Sequence, residues 1–472
     1  MPSDTVRSRR RSRLYGVVSL ILLFVGSTLA AAPQGRSPGF PAPGGPGGDE
    51  QLGKYSYDDF ETTETCAACH VDLTRQHEQA LMAQSYTHHW DEIEYFELAV
   101  PHAEKDPKVA GVKAGCNGCH APLAFLAGDV PPPRPAENGR ANEGVSCDLC
   151  HVMTGFTGDT PYNFNYELDP GDVKLGAREP GDSPYHVAEQ SGFYRTAEYC
   201  GTCHNEQSPY GVWVKSTHLE WKEGPHGRAG IVCQDCHMPP ARGKSADAGP
   251  EHPDVRQHLF HGAHDDGKLA GVIEVRIHPE ERRARPGDRV ELTATLVNAK
   301  AGHPVPTGSV EERVLWVHVE ARGSNGATHP LPVDAKGFEG EEHTIASDTA
   351  LAYQDLGFIQ EIDGFEGLKR DGEVPAGDRI FRMPYFDPQG RMTIAQWHTA
   401  SLGVDYRLWP LEAVNETYTW TVPEMPPGEV TVTATVWYSR LVSSVAEHMG
   451  VPREESRPVK VASHATTIVI GE

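Results

Sequence analysis

Positive charge is scarce in this chain. Lys and Arg together number 42 among 472 residues, whereas Asp and Glu number 66, which gives a formal net charge of −24 at pH 7. A chain of this charge is repelled by phosphate backbones and by anionic lipid surfaces. Nucleic acid and anionic membranes are therefore not expected as partners, and the acidity favours solubility over a dedicated docking role.

Long apolar runs are also missing, except at the N-terminus. An apolar run over residues 14–29 follows five arginines and precedes the small residues Ala30, Ala31 and Ala32. Because the run is short for a membrane span and ends in a cleavage-like stretch, residues 1–31 predict a secretory signal peptide, with an uncleaved anchor as the alternative. We expect export to the periplasm or the cell exterior, and no integral membrane span in the mature chain.

Cysteine is absent outside one repeated pattern. The ten cysteines form five Cys-x-x-Cys-His units, which are Cys66-Ala-Ala-Cys69-His70, Cys116-Asn-Gly-Cys119-His120, Cys147-Asp-Leu-Cys150-His151, Cys200-Gly-Thr-Cys203-His204 and Cys233-Gln-Asp-Cys236-His237. Two thiols at this spacing can add to the vinyl groups of one haem, and the histidine that follows can bind its iron. The pattern predicts five haem c groups with these histidines as proximal ligands, and it leaves no cysteine for a disulfide.

Composition divides the chain into four predicted segments. After the signal peptide, residues 32–53 are rich in Pro and Gly and predict a flexible leader. All five motifs lie in residues 54–265, where the haems must supply much of the buried apolar surface, with short helices, such as those expected over 71–83 and 191–198, and long loops around them.

Residues 266–472 have a different pattern. Short alternating runs rich in β-branched residues predict strands, and these runs are 272–277, 289–297, 314–321, 418–422, 430–438 and 466–470. Together they indicate a β-sandwich of roughly immunoglobulin type, with an irregular stretch over 335–415. The predicted fold class is α+β and multidomain, a haem-packed cytochrome domain followed by this sandwich.

The sixth ligand of each iron decides the chemistry, because a second imidazole closes the metal for electron transfer. Besides the five motif histidines, residues 54–265 hold eleven more: His77, His88, His89, His102, His186, His218, His226, His252, His258, His261 and His264. His77 follows His70 too closely to reach the opposite face of the same haem. The candidate distal ligands are His88, His186, His226 and His258.

One further candidate lies in the predicted β-domain. The stretch 298–308, which reads Asn-Ala-Lys-Ala-Gly-His-Pro-Val-Pro-Thr-Gly, predicts a loop fixed by Gly and Pro after a strand. Such a loop can project His303 toward the haem domain as a distal ligand. The alternative is a rigid turn between strands with an exposed histidine.

Three pieces of sequence carry a family resemblance: residues 144–151 (Gly-Val-Ser-Cys-Asp-Leu-Cys-His), 233–239 (Cys-Gln-Asp-Cys-His-Met-Pro) and 302–308. In these pieces the chain resembles the soluble multihaem cytochromes c related to the tetrahaem electron carrier of the hydroxylamine-oxidation pathway. The resemblance implies mainly bis-histidine haems packed closely together, with His88, His186, His226 and His258 where such proteins place distal ligands.

Three functions remain open on the sequence. The first is electron transfer between redox partner proteins through five haems, without catalysis. The second is an oxidoreductase that acts on a small nitrogen or sulfur compound at one open haem. The third is a homo-oligomer, in which subunits form an extracellular conductive filament. We expect the first, and hence a carrier rather than an enzyme.

Overall fold

The computed structural model describes residues 39–334, 374, 375 and 377–472. The predicted signal peptide and part of the stretch 335–415 lie outside the described residues. Helices and strands both occur, as the predicted α+β class requires. In the described part of the chain, no helix has the length and apolar character needed to cross a bilayer.

The helices are short and most belong to the part of the chain that carries the motifs. They are α1 Thr63–Ala67, α2 Val71–Glu78, α3 His89–Ile93, α4 Val100–Lys105, α5 Val112–His120, α6 Pro122–Ala127, α7 Cys147–His151, α8 Glu198–His204, α9 Thr217–Glu223, α10 Pro225–Arg228, α11 Cys233–His237, α12 Asp266–Leu269, α13 Ser443–Met449 and α14 Arg453–Ser456. A π-helical turn, Glu94–Ala99, joins α3 to α4. Single 3-10 turns are Gly48–Gln51, Tyr57–Asp59, Pro107–Val109, Pro135–Glu137, Arg140–Glu143, Gly192–Arg195 and Gln396–His398.

Short two-stranded ladders lie between these helices. Their strands are β1 Met153–Phe156, β2 Tyr166–Leu168, β3 Val173–Gly176, β4 Val187–Gln190, β5 Asn205–Gln207, β6 Trp213–Ser216, β7 Pro240–Lys244 and β8 Glu251–Arg256. They pair in sequence order, and only the β3–β4 pair is parallel.

The rest of the chain forms two main sheets and a small one. Their strands are β9 Ile273–Pro279, β10 Arg283–Ala284, β11 Arg289–Asn298, β12 Val314–Gly323, β13 Thr328–Pro330, β14 Arg379–Phe381, β15 Tyr385–Phe386, β16 Met392–Thr393, β17 Ser401–Leu402, β18 Ala413–Thr421, β19 Gly428–Ser439 and β20 Val459–Ile470. One sheet has the order β10-β20-β19-β12-β13 with β14 also on β12, the second has the order β18-β11-β9, and the small one has the order β16-β15-β17.

Alternation explains why these strands form and how they pack. In β9 every second residue is buried, and β11 and β19 follow the same period of two. The buried faces of the two main sheets share one apolar core, in which Leu296, Val317 and Val436 are fully enclosed. All six strand runs predicted from the sequence are confirmed, and most of the strands extend beyond the predicted limits.

The predicted leader is packed in its described part. The Trp213 indole donates to the Pro41 carbonyl at 3.2 Å, and the Tyr162 hydroxyl donates to the Gly45 carbonyl at 2.7 Å. The side chain of Gln51 is buried and donates to the Tyr166 carbonyl at 3.0 Å. Instead of a flexible leader, residues 39–53 therefore form a docked segment.

A second core joins the motif-bearing part to the β-rich part. Trp90 and Leu98 pack with Trp316, Leu441 and Val445 in a single buried cluster. Because this apolar surface is shared, the position of the strands helps to fix the position of the second motif, which lies on α5.

Candidate haem-binding sites

Each motif lies in or directly after a short helix. The second, third, fourth and fifth motifs end α5, α7, α8 and α11, and the first begins at Cys66 in the last turn of α1. In a helical turn, residues three and four positions apart share a face, so the two thiols and the histidine of a motif project together. The Ser146 hydroxyl caps α7 by accepting a hydrogen bond from the Leu149 amide at 3.2 Å.

Four motif histidines are held by a backbone carbonyl through Nδ1. His70 donates to Ser245 at 2.5 Å, His120 to Ser85 at 3.0 Å, His151 to Leu175 at 2.6 Å and His237 to His261 at 2.8 Å. A carbonyl oxygen can only accept, so Nδ1 carries the proton and the lone pair lies on Nε2. This arrangement fixes the tautomer that a metal requires at Nε2.

Three of these histidines face a second histidine that is distant in the sequence. The ring centroids of His70 and His186 lie 6.2 Å apart with 26° between the ring planes. For His151 and His258 the values are 6.3 Å and 23°. For His237 and His303 they are 6.4 Å and 16°.

These separations suit a metal ion between the rings. An imidazole nitrogen binds a transition metal at about 2 Å, so two trans nitrogens are about 4 Å apart and the ring centres about 6 Å apart. The second histidines are oriented like the first, because Nδ1 of His186, His258 and His303 donates to the Val187, Arg256 and Pro304 carbonyls at 3.2, 3.0 and 3.0 Å. The residues present therefore fit iron held by two imidazoles.

Burial keeps four of these imidazoles neutral by lowering their pKa values. Desolvation lowers the pKa of His237 to about 4 and that of His258 to about 3, and it also lowers the pKa of His151 and His303. A neutral imidazole is the form that binds a metal ion.

The His303 loop is fixed by polar contacts at both ends. The Asn298 side chain donates to the His303 carbonyl at 2.8 Å, and the Thr307 hydroxyl donates to the Glu220 carboxylate at 2.6 Å. Arg407 pairs with Glu220 at 2.7 Å and with Asp405 at 2.8 Å, all three side chains being buried. No sequence motif predicts the roles of Glu220 and Arg407, because their contacts join distant segments.

The remaining distal candidates lie elsewhere. His88 sits in a cluster with His89, His264 and Glu455, and His226 packs beside Gly302. Within the described residues, neither faces a motif histidine at the separation of the three pairs. His77, which the sequence argument excludes as a ligand of its own haem, donates through Nε2 to the Val145 carbonyl at 2.9 Å.

The motifs are also close to one another through their thiols. The Cys66 thiol lies beside that of Cys147, the Cys119 thiol beside that of Cys203, and the Cys200 thiol beside that of Cys233, each pair being close enough for one thiol to shift the pKa of the other. No disulfide joins any of the ten cysteines, all of which lie in the described part of the chain. The first motif is therefore next to the third, and the second and fifth are both next to the fourth.

A partly buried charged cluster, in which Glu311 is fully buried, lies beside the second and fourth motifs, and no motif in the sequence predicts it. The Lys215 ammonium donates to the Glu206 carboxylate at 2.7 Å. Glu94 and Glu311 are close enough to raise the pKa of Lys215 as well. Burial raises the pKa of Glu94 to about 7 and that of Glu311 to about 8. Neither carboxylate oxygen of Glu311 has a hydrogen-bond partner in the described part of the chain. The rings of His120 and His204 lack a paired histidine there.

Comparison with known proteins agrees with this architecture. The fold is similar to that of a penta-heme cytochrome c552 from Thermochromatium tepidum, with a TM-score of 0.57 and 20% sequence identity, over 87% of this chain and 99% of that one. This chain has the fold of a multihaem c-type cytochrome. Because residues 54–265 make up less than half of the chain, the likeness must extend into the β-rich part.

A local sequence likeness points the same way. Over 97 residues, or 20% of this chain, the sequence is 32% identical to cytochrome c-552 of Aliarcobacter butzleri. The match spans 18% of that relative's length. No family model matches the chain.

Proposed function

We propose that the chain is an exported cytochrome that carries five haem c groups and passes electrons between redox partner proteins. Haem c bound at these motifs would supply reversible one-electron iron chemistry. The observation that carries the proposal is the set of three histidine pairs, each with a ring separation of 6.2 to 6.4 Å.

Each residue of a motif has a separate task in this proposal. Cys66, Cys69, Cys116, Cys119, Cys147, Cys150, Cys200, Cys203, Cys233 and Cys236 attach the haems, and His70, His120, His151, His204 and His237 bind the irons. His186, His258 and His303 are the distal ligands at the first, third and fifth motifs. Since two imidazoles leave no free position on an iron, these three sites are closed to substrate.

The contacts between motifs support a continuous electron path. Every thiol pair that joins two motifs places the attachment points of two haems next to each other, and the three pairs include all five motifs. The first and third motifs form one group and the second, fourth and fifth another. The Tyr199 hydroxyl of the fourth motif's helix, α8, donates to the Cys150 carbonyl of the third motif at 3.0 Å and joins the two groups.

The proposal includes three parts that rest on sequence pattern. Residues 1–31 direct export to the periplasm or the cell exterior, residues 54–265 form the pentahaem part, and residues 266–472 form a β-sandwich of immunoglobulin type. The kinship with tetrahaem carriers of the hydroxylamine-oxidation pathway stays a prediction, and so does assembly into a filament.

Electron paramagnetic resonance on the oxidised holoprotein tests the electron-transfer proposal, together with iron analysis. We expect five irons per chain and at least three low-spin signals from sites with two imidazole ligands. Fewer than five irons would contradict the haem count. Fewer than three low-spin sites would contradict the ligand pairs.

A second function is favoured by the charged cluster. Among the described residues, no second histidine faces the ring of His120 or that of His204, and the two rings lie near Lys215, Glu94 and Glu311. An iron bound by either histidine without a second imidazole could bind a small nitrogen or sulfur compound, with these groups nearby to donate protons. Carbon monoxide added to the reduced protein tests this function, because a protein with five closed irons would show no spectral change.

A further inference from the structure

Three histidine nitrogens from outside the five motifs converge on one carboxylate. Nε2 of His88 and Nε2 of His89 lie 3.6 Å and 3.9 Å from Oε1 of Glu455, and Nε2 of His264 lies 3.7 Å from Oε2. One ligand atom each from His88, His89 and Glu455 lies within 4.8 Å of the others. We refer to these four residues as the His–Glu cluster.

The distances within the cluster do not fit hydrogen bonding. They exceed the 2.7–3.2 Å range of N–H···O hydrogen bonds. Ligand atoms that each lie about 2 Å from a shared cation are separated by more than 3 Å, which is closer to what is seen. Nε2 of His89 and Nε2 of His264 are also buried without a hydrogen-bond partner among the described residues. Both nitrogens are therefore available as ligands.

A second carboxylate orients His88. Its Nδ1 lies 3.5 Å from Oδ2 of Asp91, while its Nε2 points to Glu455. A carboxylate that binds the outer nitrogen of an imidazole fixes its tautomer and raises its basicity toward a metal ion. The same carboxylate contacts Nδ1 of His120 at 3.3 Å. Asp91 thus links the His–Glu cluster to the proximal histidine of the second motif.

The cluster is distinct from the haem axes. His88 and His120 both meet Asp91 through Nδ1, so the two rings cannot lie on opposite sides of one iron with Nε2 facing Nε2. In the described part of the chain, the rings of His89 and His264 are not paired with a motif histidine as His186, His258 and His303 are. The nearby Arg440 is engaged by the Asp266 carboxylate and the Ala263 carbonyl.

We propose that His88, His89, His264 and Glu455 bind one divalent transition-metal ion. Zn²⁺ represents this class of ion in the tests below. Three imidazoles and one carboxylate suit zinc and its neighbours rather than Mg²⁺ or Ca²⁺, which take oxygen ligands. Four protein ligands complete a tetrahedral shell, which is the arrangement of a structural site. The ion joins α3 to α14 and to the segment that precedes α12.

The first test measures zinc on the holoprotein with its haems attached. Protein dialysed against a chelator is titrated with Zn²⁺ by calorimetry, and bound zinc is counted by elemental analysis. We expect one zinc per chain with a dissociation constant in the micromolar range or below, and an unfolding temperature that rises with zinc. Less than half an equivalent of zinc at saturation overturns the proposal.

Variants identify the site. We expect Glu455→Gln and His264→Asn to weaken zinc binding at least 100-fold, while His278→Asn, on the exposed face of β9, keeps the parent affinity. The visible haem spectrum should stay unchanged in all three variants. Equal zinc binding in Glu455→Gln and His278→Asn would show that zinc binds adventitiously at the surface. A loss of low-spin haem in His264→Asn would show that His264 is a haem ligand. Either result overturns the proposal.

Discussion

At the scale of single residues, the orientation of each paired imidazole is determined mainly by the backbone carbonyl that accepts its Nδ1 hydrogen bond. The Nδ1 hydrogen bonds of His151 and His258 leave the Nε2 lone pair of each ring free for a metal, and the two ring centroids lie 6.3 Å apart. The spacing from two cysteines predicts the motif histidines as proximal ligands. It does not predict the carbonyls, since Leu175 lies on β3 and is separated from His151 by the β1–β2 hairpin.

The first prediction concerns His258. We expect His258→Met to raise the reduction potential of one haem on the order of 100 mV, because a methionine ligand favours the reduced iron. Optical redox titration of the variant and the parent measures the shift. His278→Met, on an exposed strand position, is the control and should leave all five potentials unchanged. If the reduction potentials of His258→Met equalled those of the parent, His258 would not be a haem ligand.

At the scale of helices and strands, the sequence predicted the β-rich part better than the motif-bearing part. Alternation over seven to twelve residues defines β9, β19 and β20 because each strand buries one face. The expected helix over 71–83 instead ends at Glu78, and a 3-10 turn at Gly192–Arg195 precedes α8. Helices of four to nine residues are too short to be stable by themselves, so tertiary contacts set their limits.

A close approach inside the second motif gives a stability prediction. A Cβ atom on Gly118 would lie 2.3 Å from Cγ of Phe164, a side chain in the core that packs around α6 and α7. We expect Gly118→Ala to lower the free energy of unfolding by about 1–3 kcal/mol through overpacking. Gly111→Ala is the control, because nothing lies within 4 Å of its Cβ. Denaturant titrations of both variants would refute the argument if they gave equal midpoints.

The strand β12 carries a pH-dependent contact. Nδ1 of His318 lies 2.9 Å from Oδ1 of Asp378, and this hydrogen bond raises the pKa of His318 above its usual value. The contact therefore stabilises the fold fully below about pH 6.5, and the gain is lost as pH rises through the elevated pKa.

Comparing the parent with His318→Gln measures this contribution. We expect the parent to be more stable by up to about 1 kcal/mol at pH 6 and the difference to shrink by pH 9. Urea unfolding at both pH values gives the two differences. A difference that grew with pH would have the wrong sign for this contact.

At the scale of the whole molecule, the two halves depend on each other. The sequence left open whether His303 is a haem contact or the tip of an exposed turn, and its ring lies 6.4 Å from that of His237. The reason is long-range: Thr307 of the loop donates to Glu220, and Arg407 donates to the Pro306 carbonyl of the loop. For the same reason His88 and His226 stay predictions as distal ligands, because the sequence does not show which rings meet.

The whole-molecule prediction is that His303→Ala opens the haem of the fifth motif. We expect one additional high-spin signal by electron paramagnetic resonance and about one equivalent more carbon monoxide bound on reduction, because the iron loses its second imidazole. His329→Ala, on the short strand β13, serves as the control. An unchanged low-spin spectrum in His303→Ala would show that the β-rich part supplies no ligand to this haem.

The position of His303 also predicts an order for haem attachment and iron ligation as the protein matures. Under the proposed export from the N-terminus, His70 and His186 are presented early, but His237 must wait for a loop whose supporting residue, Arg407, follows much later. We expect the fifth haem to be attached while its iron still lacks a protein ligand on one side. Iron analysis of the full-length His303→Ala variant tests this order, because attachment that does not need His303 leaves five haems in the variant. Maturation of this protein therefore ends in the part of the chain that carries no cysteine.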